Sequence, residues 1–308
     1  MENRVIIILG PTASGKTDLA FELAQKLNTE IISADSRQVY KRIDIGSAKP
    51  PAEYLELVKH WFINSIELDE AFDAGMFESQ SKVIIDNLHS QNKIPIVCGG
   101  SGLYIQALTD GIIDIPPDER YRKELHRLLN ESGPECLLQR LQKVDPVSAQ
   151  SMIPQNYKRI IRALEVFHLT GKPISEIHDE QTKSNKYDFH MFGINWAREI
   201  LYDRINHRVN KMLDNGLIEE VENILALGYS SKLNSLNTVG YKEIISFLKR
   251  EITFDMATHL IKRNSRHYAK RQMTWFNKNP LIQWHNISSS DEYSAIANLV
   301  YSDLGLSE

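Results

Sequence analysis

Residues 10–17 read GPTASGKT: a glycine, four residues, a second glycine, a lysine and a hydroxyl residue. Glycines at this spacing let successive backbone amides turn toward an anion, and a helix that starts beside them points its positive end at the same spot. Lys16 would reach the outer phosphate of a bound ligand and the Thr17 hydroxyl would bind Mg2+. A loop of this kind ordinarily signals nucleotide binding, with ATP or GTP as cargo. It senses phosphate, however, and not the group attached to it. Supporting nucleotide motifs are weak. No aspartate begins a DxxG, as a GTPase switch would require. NKYD at 185–188 spells the guanine-reading pattern, but it precedes its predicted strand instead of following one, and it is read as coincidence. Asp86 falls on a predicted helix, so the carboxylate best placed at a strand end is Asp35, after Ile31-Ile32-Ser33-Ala34. Asp35 has three readings: a metal-binding carboxylate, a general base beside a phosphate site, or a cap for the turn that follows.

Three basic groups come next. Lys262, Arg263, Arg266, Lys270 and Arg271 lie in a stretch free of Asp and Glu between Asp255 and Asp291, interleaved with Tyr268, Gln272, Trp275 and Phe276. Basic side chains beside aromatics suit phosphate backbones and stacked bases; the competing reading is a solvated helix face with Trp275 and Phe276 in the core. Lys158, Arg159 and Arg162 form a second cluster, which alone would read as an ordinary exposed face. Arg204 and Arg208 are one turn apart and share a helix face. They would either clamp a diphosphate or pair with surface acids such as Asp203. The ten histidines show no ligand spacing such as HExxH.

The elements that must position these residues follow from the apolar pattern. Strands are expected at 5–9, 30–34, 94–98, 187–194 and, at an edge, 281–287, with a further one possible at 61–66. Helices are expected at 17–27, 77–88, 198–214, 217–226, 254–276 and 291–304. Strands alternating with helices imply a parallel sheet, whose ligands sit at the carboxyl ends of the strands. Gly10, Asp35 and Gly99 each follow a predicted strand end and so should converge. From 116 the pattern changes. Pro116-Pro117 marks a break, and charged helical segments follow at 120–129, 136–143 and 157–170, the last stopped by Gly171-Lys172-Pro173. The expected organisation is an α/β core at 1–115 and 187–308 with an all-helical insertion at 116–186.

Composition narrows the partners. The 308 residues carry a formal net charge of −4, so any nucleic-acid contact must come from a local patch. Two distant cysteines, Cys98 and Cys136, make neither a disulfide framework nor a metal knuckle. No apolar run is long enough to span a bilayer, and the N-terminus reads as strand and loop rather than leader. The expectation is a soluble cytoplasmic protein, by default a monomer since no coiled coil is evident.

Taken together, the motifs place the chain in a family. GPTASGKT at 10–17, DSRQVY at 35–40, DIGSAKP at 44–50, GGSGLY at 99–104, RALEVF at 162–167, NTVGYKE at 237–243 and YAKRQMTWF at 268–276 occur in order along nearly the whole chain. It resembles the bacterial tRNA dimethylallyltransferases. That resemblance implies a P-loop NTPase-like, nucleotide-kinase-like α/β fold with flanking helices, and a helical insertion that grips the anticodon stem-loop of tRNA. It implies transfer of a dimethylallyl group from dimethylallyl diphosphate to the 6-amino group of the adenosine 3′ of the anticodon. By position it makes Asp35 the general base, with Thr12, Ser101 and Arg208 also catalytic; Arg204 competes for the place of Arg208. It gives the diphosphate to Gly10, Thr12, Ala13, Ser14, Gly15, Lys16 and Thr17, with Mg2+ as cofactor on Thr17. It assigns tRNA contacts to Asp35, Ser36, Arg37, Gln38 and Ser101, to Lys123, Lys158, Arg159 and Arg162 in the insertion, and to Arg263, Arg266, Lys270 and Arg271. Ser47 and Ser101 stand where many members carry Thr, and each keeps the hydroxyl. Two other readings compete: an ATP-dependent small-molecule kinase, and a non-catalytic RNA-binding protein that keeps the loop as a relic.

Overall fold

Five consecutive apolar residues in RVIIIL leave no polar face, so β1 (Arg4–Leu9) must lie inside a sheet covered on both sides. The computed structural model describes residues 3–113, 115–181 and 186–305. In it β1 is flanked by β4 (Ile96–Gly99) and β5 (Asp188–Trp196). With β2 (Ile31–Ala34), β3 (His60–Trp61) and β6 (Ile282–Ile287) they form one six-stranded sheet, order β3-β2-β4-β1-β5-β6. Every pairing is parallel, so helices must carry the chain back between strands.

Those helices run in chain order as α1 (Lys16–Leu27), α2 (Ala52–Leu57), α3 (Ala74–Ser90), α4 (Gly102–Asp110), α5 (Glu119–Ser132), α6 (Pro134–Val144) and α7 (Pro146–Gln150). They continue as α8 (Tyr157–Thr170), α9 (Ile174–Gln181), α10 (Arg198–Asp214), α11 (Leu217–Ala226), α12 (Tyr241–Leu248), α13 (Phe254–Phe276) and α14 (Tyr293–Asp303). The apolar face of α1 (Leu19, Ala20, Leu23, Ala24) packs with Ile6, Ile8, Ile96 and residues of α14 in one core. The strand expected at 61–66 shrinks to His60–Trp61 and a single bridge from Tyr40 to Ile66. Its physical reason is local: Phe62 and Asn64 both take positive φ, which an extended strand does not permit.

The chain separates into two compact units, Met1–Leu108 with Lys186–Glu308, and Thr109–Asn185. The second begins before the Pro116-Pro117 break. Its own core comprises Leu125, Leu137, Leu141, Ile160, Ile161 and Leu164. Glu165 is fully buried there, bonded by Arg122 Nε at 2.7 Å, Arg162 Nη1 at 2.6 Å and the Asp118 N–H at 2.8 Å. Arg162 also donates to the carbonyls of Ile113 and Ile115. Gly171 closes α8 in the left-handed conformation, as the expected stop requires. Among the described residues no helix is long and apolar enough to cross a membrane.

Candidate active site at the strand ends

Parallel register sets the site. Gly99 is level with Leu9 on one side and Ala34 on the other. The chain therefore leaves β1, β2 and β4 at the same edge, and the phosphate loop, Asp35 and the Gly99-Gly100 turn stand side by side, where such sheets bind ligands. Asp188 of NKYD lies at the other end, in register with Arg4 at the start of β1. Lys186 there is spent on Asp86, 2.7 Å away, and Asn185 lies outside the described residues.

Gly15 takes φ 87° and α1 starts on it with no side-chain cap, leaving the first helical N–H groups to an anion. Ala13 is also left-handed, at φ 65°. The loop is fastened from behind. The carbonyl of Ser14 accepts from the Trp196 indole at 2.8 Å and the Tyr293 hydroxyl at 3.0 Å. The carbonyl of Ala13 accepts from Arg204 Nε at 2.9 Å, and the Arg204 guanidinium lies over the Trp196 ring. A Cβ on Gly15 would stand 1.7 Å from the Tyr293 hydroxyl, so only glycine fits. Within the loop the Ser14 side chain is fully buried, its Oγ without a hydrogen-bond partner.

In front of the loop is a cavity of about 330 Å3. Thr12, Lys16, Thr17, Asp35 and Arg208 line its polar end; Ile205, Val209, Met212, Val239 and Ile261 supply apolar wall. A second cavity of about 390 Å3 adjoins the loop, and Lys16, Thr17 and Arg208 line both. Of Arg204 and Arg208 on α10, only Arg208 lines both cavities; Arg204 lines the second and donates to the loop backbone. Burial lowers the pKa of Lys16, and the charge of Arg208 lowers it further, against the pull of Cys98, Asp35 and Asp18. Burial lowers Arg208 likewise, against the carboxylates of Asp35 and Asp18. Two cations desolvated side by side at a helix N-terminus make a site short of negative charge. A diphosphate would supply it.

Asp35 Oδ1 accepts from the N–H of Arg37 at 2.8 Å and of Gln38 at 3.4 Å. It is therefore the cap of its turn, and the cap holds the carboxylate on the cavity wall. The next N–H, of Ser36, donates to Ser101 Oγ at 3.0 Å, and Tyr268 hydrogen-bonds the same hydroxyl. Burial pushes the Tyr268 phenol up to about 12, so it stays neutral. Gln38 is half-buried and donates to the carbonyls of Ser47 and Ala48, which brings the DIGSAKP segment to the cavity. Arg37 lines the cavity while one Nη donates to the Asn234 carbonyl.

The basic helix divides. On α13, Ile261, Ser265, Tyr268 and Gln272 recur at helical spacing and line the cavity with Arg271. Lys270 and Arg263 are exposed, and Arg266 is turned to Asn206 on α10 at 2.6 Å. Gln272, grouped with the RNA-facing aromatics on sequence, is instead buried against the loop. In the helical unit Lys123, Lys158 and Arg159 are exposed, whereas Arg162 is engaged with Glu165. Trp196 and Tyr293, which hold the loop, carried no motif of their own, and Gln272 lay inside YAKRQMTWF without any sign that it meets the loop. Trp196 had only its place at the end of a predicted strand.

Known proteins resemble this chain along nearly its whole length. A family model described as IPP transferase matches residues 38–279. A tRNA dimethylallyltransferase of Acetivibrio thermocellus is 45% identical over 306 residues, covering 98% of this chain and 97% of that protein. One from Thermotoga maritima is 43% identical, covering 94% of each. The crystal structure of the full-length tRNA isopentenylpyrophosphate transferase of Bacillus halodurans superposes with a TM-score of 0.73 at 36% identity, covering 99% of this chain and 97% of that one. A eukaryotic dimethylallyltransferase captured acting on tRNA gives a TM-score of 0.83 at 29% identity, covering 98% of this chain and 80% of that one. These matches do not favour the kinase reading, and by them the chain belongs to the IPP transferase family, whose relatives are the tRNA dimethylallyltransferases.

Proposed function

We propose that the enzyme transfers a dimethylallyl group from dimethylallyl diphosphate to the 6-amino group of the adenosine 3′ of the anticodon in tRNA, releasing diphosphate. The observation that carries this reading is the pairing of an anion site with a base: Lys16 and Arg208, desolvated together, and the capped carboxylate of Asp35 line one cavity. As the allylic C–O bond breaks, negative charge grows on the diphosphate. Lys16, Arg208 and the loop amides meet that charge where it develops. The adenine amine attacks the allylic carbon and must lose a proton as the new bond forms. Asp35 accepts it, and Ser101, held by the Ser36 N–H, stands beside the reacting amine.

Among the described residues no group of three or more His, Cys, Asp or Glu is gathered as a metal cage. A hydroxyl beside a diphosphate still fits Mg2+, which takes few protein ligands and completes its shell with water and phosphate oxygens. Thr17 would hold the ion, which would neutralise the leaving group. The apolar wall from α10, α13 and residue 239 suits the prenyl tail. Ser36, Arg37, Gln38, Arg271, Arg263 and Lys270 on the core, with Lys123, Lys158 and Arg159 on the helical unit, are the tRNA-facing set. Arg266 and Arg162 serve the protein's own packing. A tRNA substrate sets the reaction in the cytoplasm.

This division is testable. Arg159→Ala weakens tRNA binding and flattens its salt dependence by about one phosphate contact, with thermal stability kept. Arg162→Ala lowers stability by about 1–3 kcal/mol, because it strips a charge-assisted bond from the buried Glu165 carboxylate. Binding titrations at several salt concentrations, run beside thermal melts, separate the two. Unchanged tRNA affinity in Arg159→Ala at every salt would count against the helical unit as a tRNA grip. The reaction itself is checked by mass analysis of tRNA nucleosides after incubation with the donor.

A further inference from the structure

Gln272 lies on α13, a 23-residue helix, and is 6% exposed. Its Oε1 accepts from the backbone N–H of Thr12 at 2.8 Å, and its Nε2 donates to the carbonyl of Gly100 at 2.9 Å. One side chain thus joins the loop that cradles the leaving group to the turn that carries Ser101. The connection continues: the Ser101 N–H donates to the Ala34 carbonyl at 3.1 Å, and the Ser101 hydroxyl accepts from the Ser36 N–H beside Asp35. One turn earlier on the same helix, Tyr268 holds that hydroxyl too. An unbroken chain of hydrogen bonds therefore runs from the phosphate loop to the base. The packing leaves no room for slack, since a Cβ on Gly100 would sit 2.2 Å from Gln272 Nε2. Both ends of the Gln272 amide are used, and each bond goes to protein backbone.

We propose that Gln272 is a positioning residue that sets the distance between the leaving group and the accepting amine, by bridging the phosphate loop to the Ser101 turn. This rests on the prenyl-transfer reading. In-line displacement needs the reacting atoms close and aligned, and an error of about 1 Å costs about 10²-fold in rate. Gln272 reaches the cavity wall but spends its amide on the backbone of Thr12 and Gly100, so its loss removes none of the charged groups assigned to the substrates.

Two variants separate bridging from simple capping of Thr12. Gln272→Met keeps the length and removes both bonds. Gln272→Glu keeps an acceptor for the Thr12 N–H and removes the donor to Gly100. Each is assayed in single turnover with Mg2+, unmodified tRNA and dimethylallyl diphosphate, alongside equilibrium binding of both substrates and a thermal melt. The expected result is a chemical rate lowered about 10- to 100-fold in both variants, with each dissociation constant within about threefold of wild type. Gly100→Ala, which displaces the same amide from the other side, gives the same split, and decides the matter if the Gln272 variants do not fold. A Gln272→Glu rate equal to wild type overturns the bridge, leaving only a cap. Loss of substrate binding in step with rate overturns it too, as a merely structural role. Wild-type protein that transfers prenyl while the variants match it refutes this proposal alone. Wild-type protein that transfers none refutes the prenyl-transfer reading along with it.

Discussion

Replacing Asp35 with alanine lowers the chemical rate by about 10²–10⁴-fold, the usual contribution of a positioned base, while tRNA binding is largely kept. The exocyclic amine of adenine is a weak nucleophile because its lone pair is delocalised into the ring. It gains strength only as its proton leaves, and Asp35 is the carboxylate on the cavity wall beside Lys16 and Arg208. The same carboxylate caps its turn through Oδ1, so alanine alone would confound two roles. Asparagine resolves them. Asp35→Asn keeps an oxygen for the Arg37 and Gln38 N–H groups and removes the base. Single-turnover rates of both variants are expected to fall together. An asparagine variant near wild-type speed would rule out the base role and leave the cap.

The second large effect is at Lys16. Lys16→Ala removes one of the cations lining the cavity, and losing one such stabilising group costs about 10²–10³ in rate. It also weakens binding of the prenyl donor, since the ground-state diphosphate already carries charge. Burial and the neighbouring Arg208 cation lower the pKa of Lys16. The free enzyme's kcat/KM should therefore fall on the alkaline side at a lower pH than an ordinary lysine would give, since the useful form is the protonated one below its pKa. A bound diphosphate, being an anion, raises that pKa again, so kcat holds to higher pH than kcat/KM. Identical alkaline limbs for the two profiles would contradict the assignment.

Much of this was legible before the structure, for identifiable reasons. β1 and β2 carry no polar face, so their burial and parallel pairing followed from composition alone. Helices α8, α10, α11 and α13 have long apolar stripes, and their observed bounds equal those read from periodicity. Helix α4 was missed because it begins inside the glycine-rich GGSGLY motif, whose glycines read as a turn. Helix α12 and the short α2, α7 and α9 offer too few turns for periodicity to show. The strand at 61–66 failed on the positive φ of Phe62 and Asn64, which residue type does not announce.

At the site, residues that share a local motif were found and residues that meet only through the fold were not. GPTASGKT is a contiguous signal. Trp196 and Tyr293 reach the loop from 182 and 279 residues away with no motif around them, and Gln272, 260 residues away, sits in YAKRQMTWF, which does not mark that contact. Arg162 shows the converse. Its charge and its place in RALEVF suggested RNA, but a buried carboxylate three residues along the helix claims it. Arg204 and Arg208, one turn apart, were indistinguishable by spacing; packing turns one to the loop carbonyl and the other to the cavity.

The most direct test of the account is to incubate the protein with Mg2+ and unmodified tRNA, with either dimethylallyl diphosphate or ATP, and to analyse the tRNA nucleosides by mass. The expected product carries a dimethylallyl group on the 6-amino nitrogen of the adenosine 3′ of the anticodon, formed with dimethylallyl diphosphate, absent with ATP, and formed about 10²–10⁴-fold more slowly in Asp35→Asn. tRNA bound but unmodified in the presence of the prenyl donor, or phosphoryl transfer from ATP with no prenylation, would contradict it.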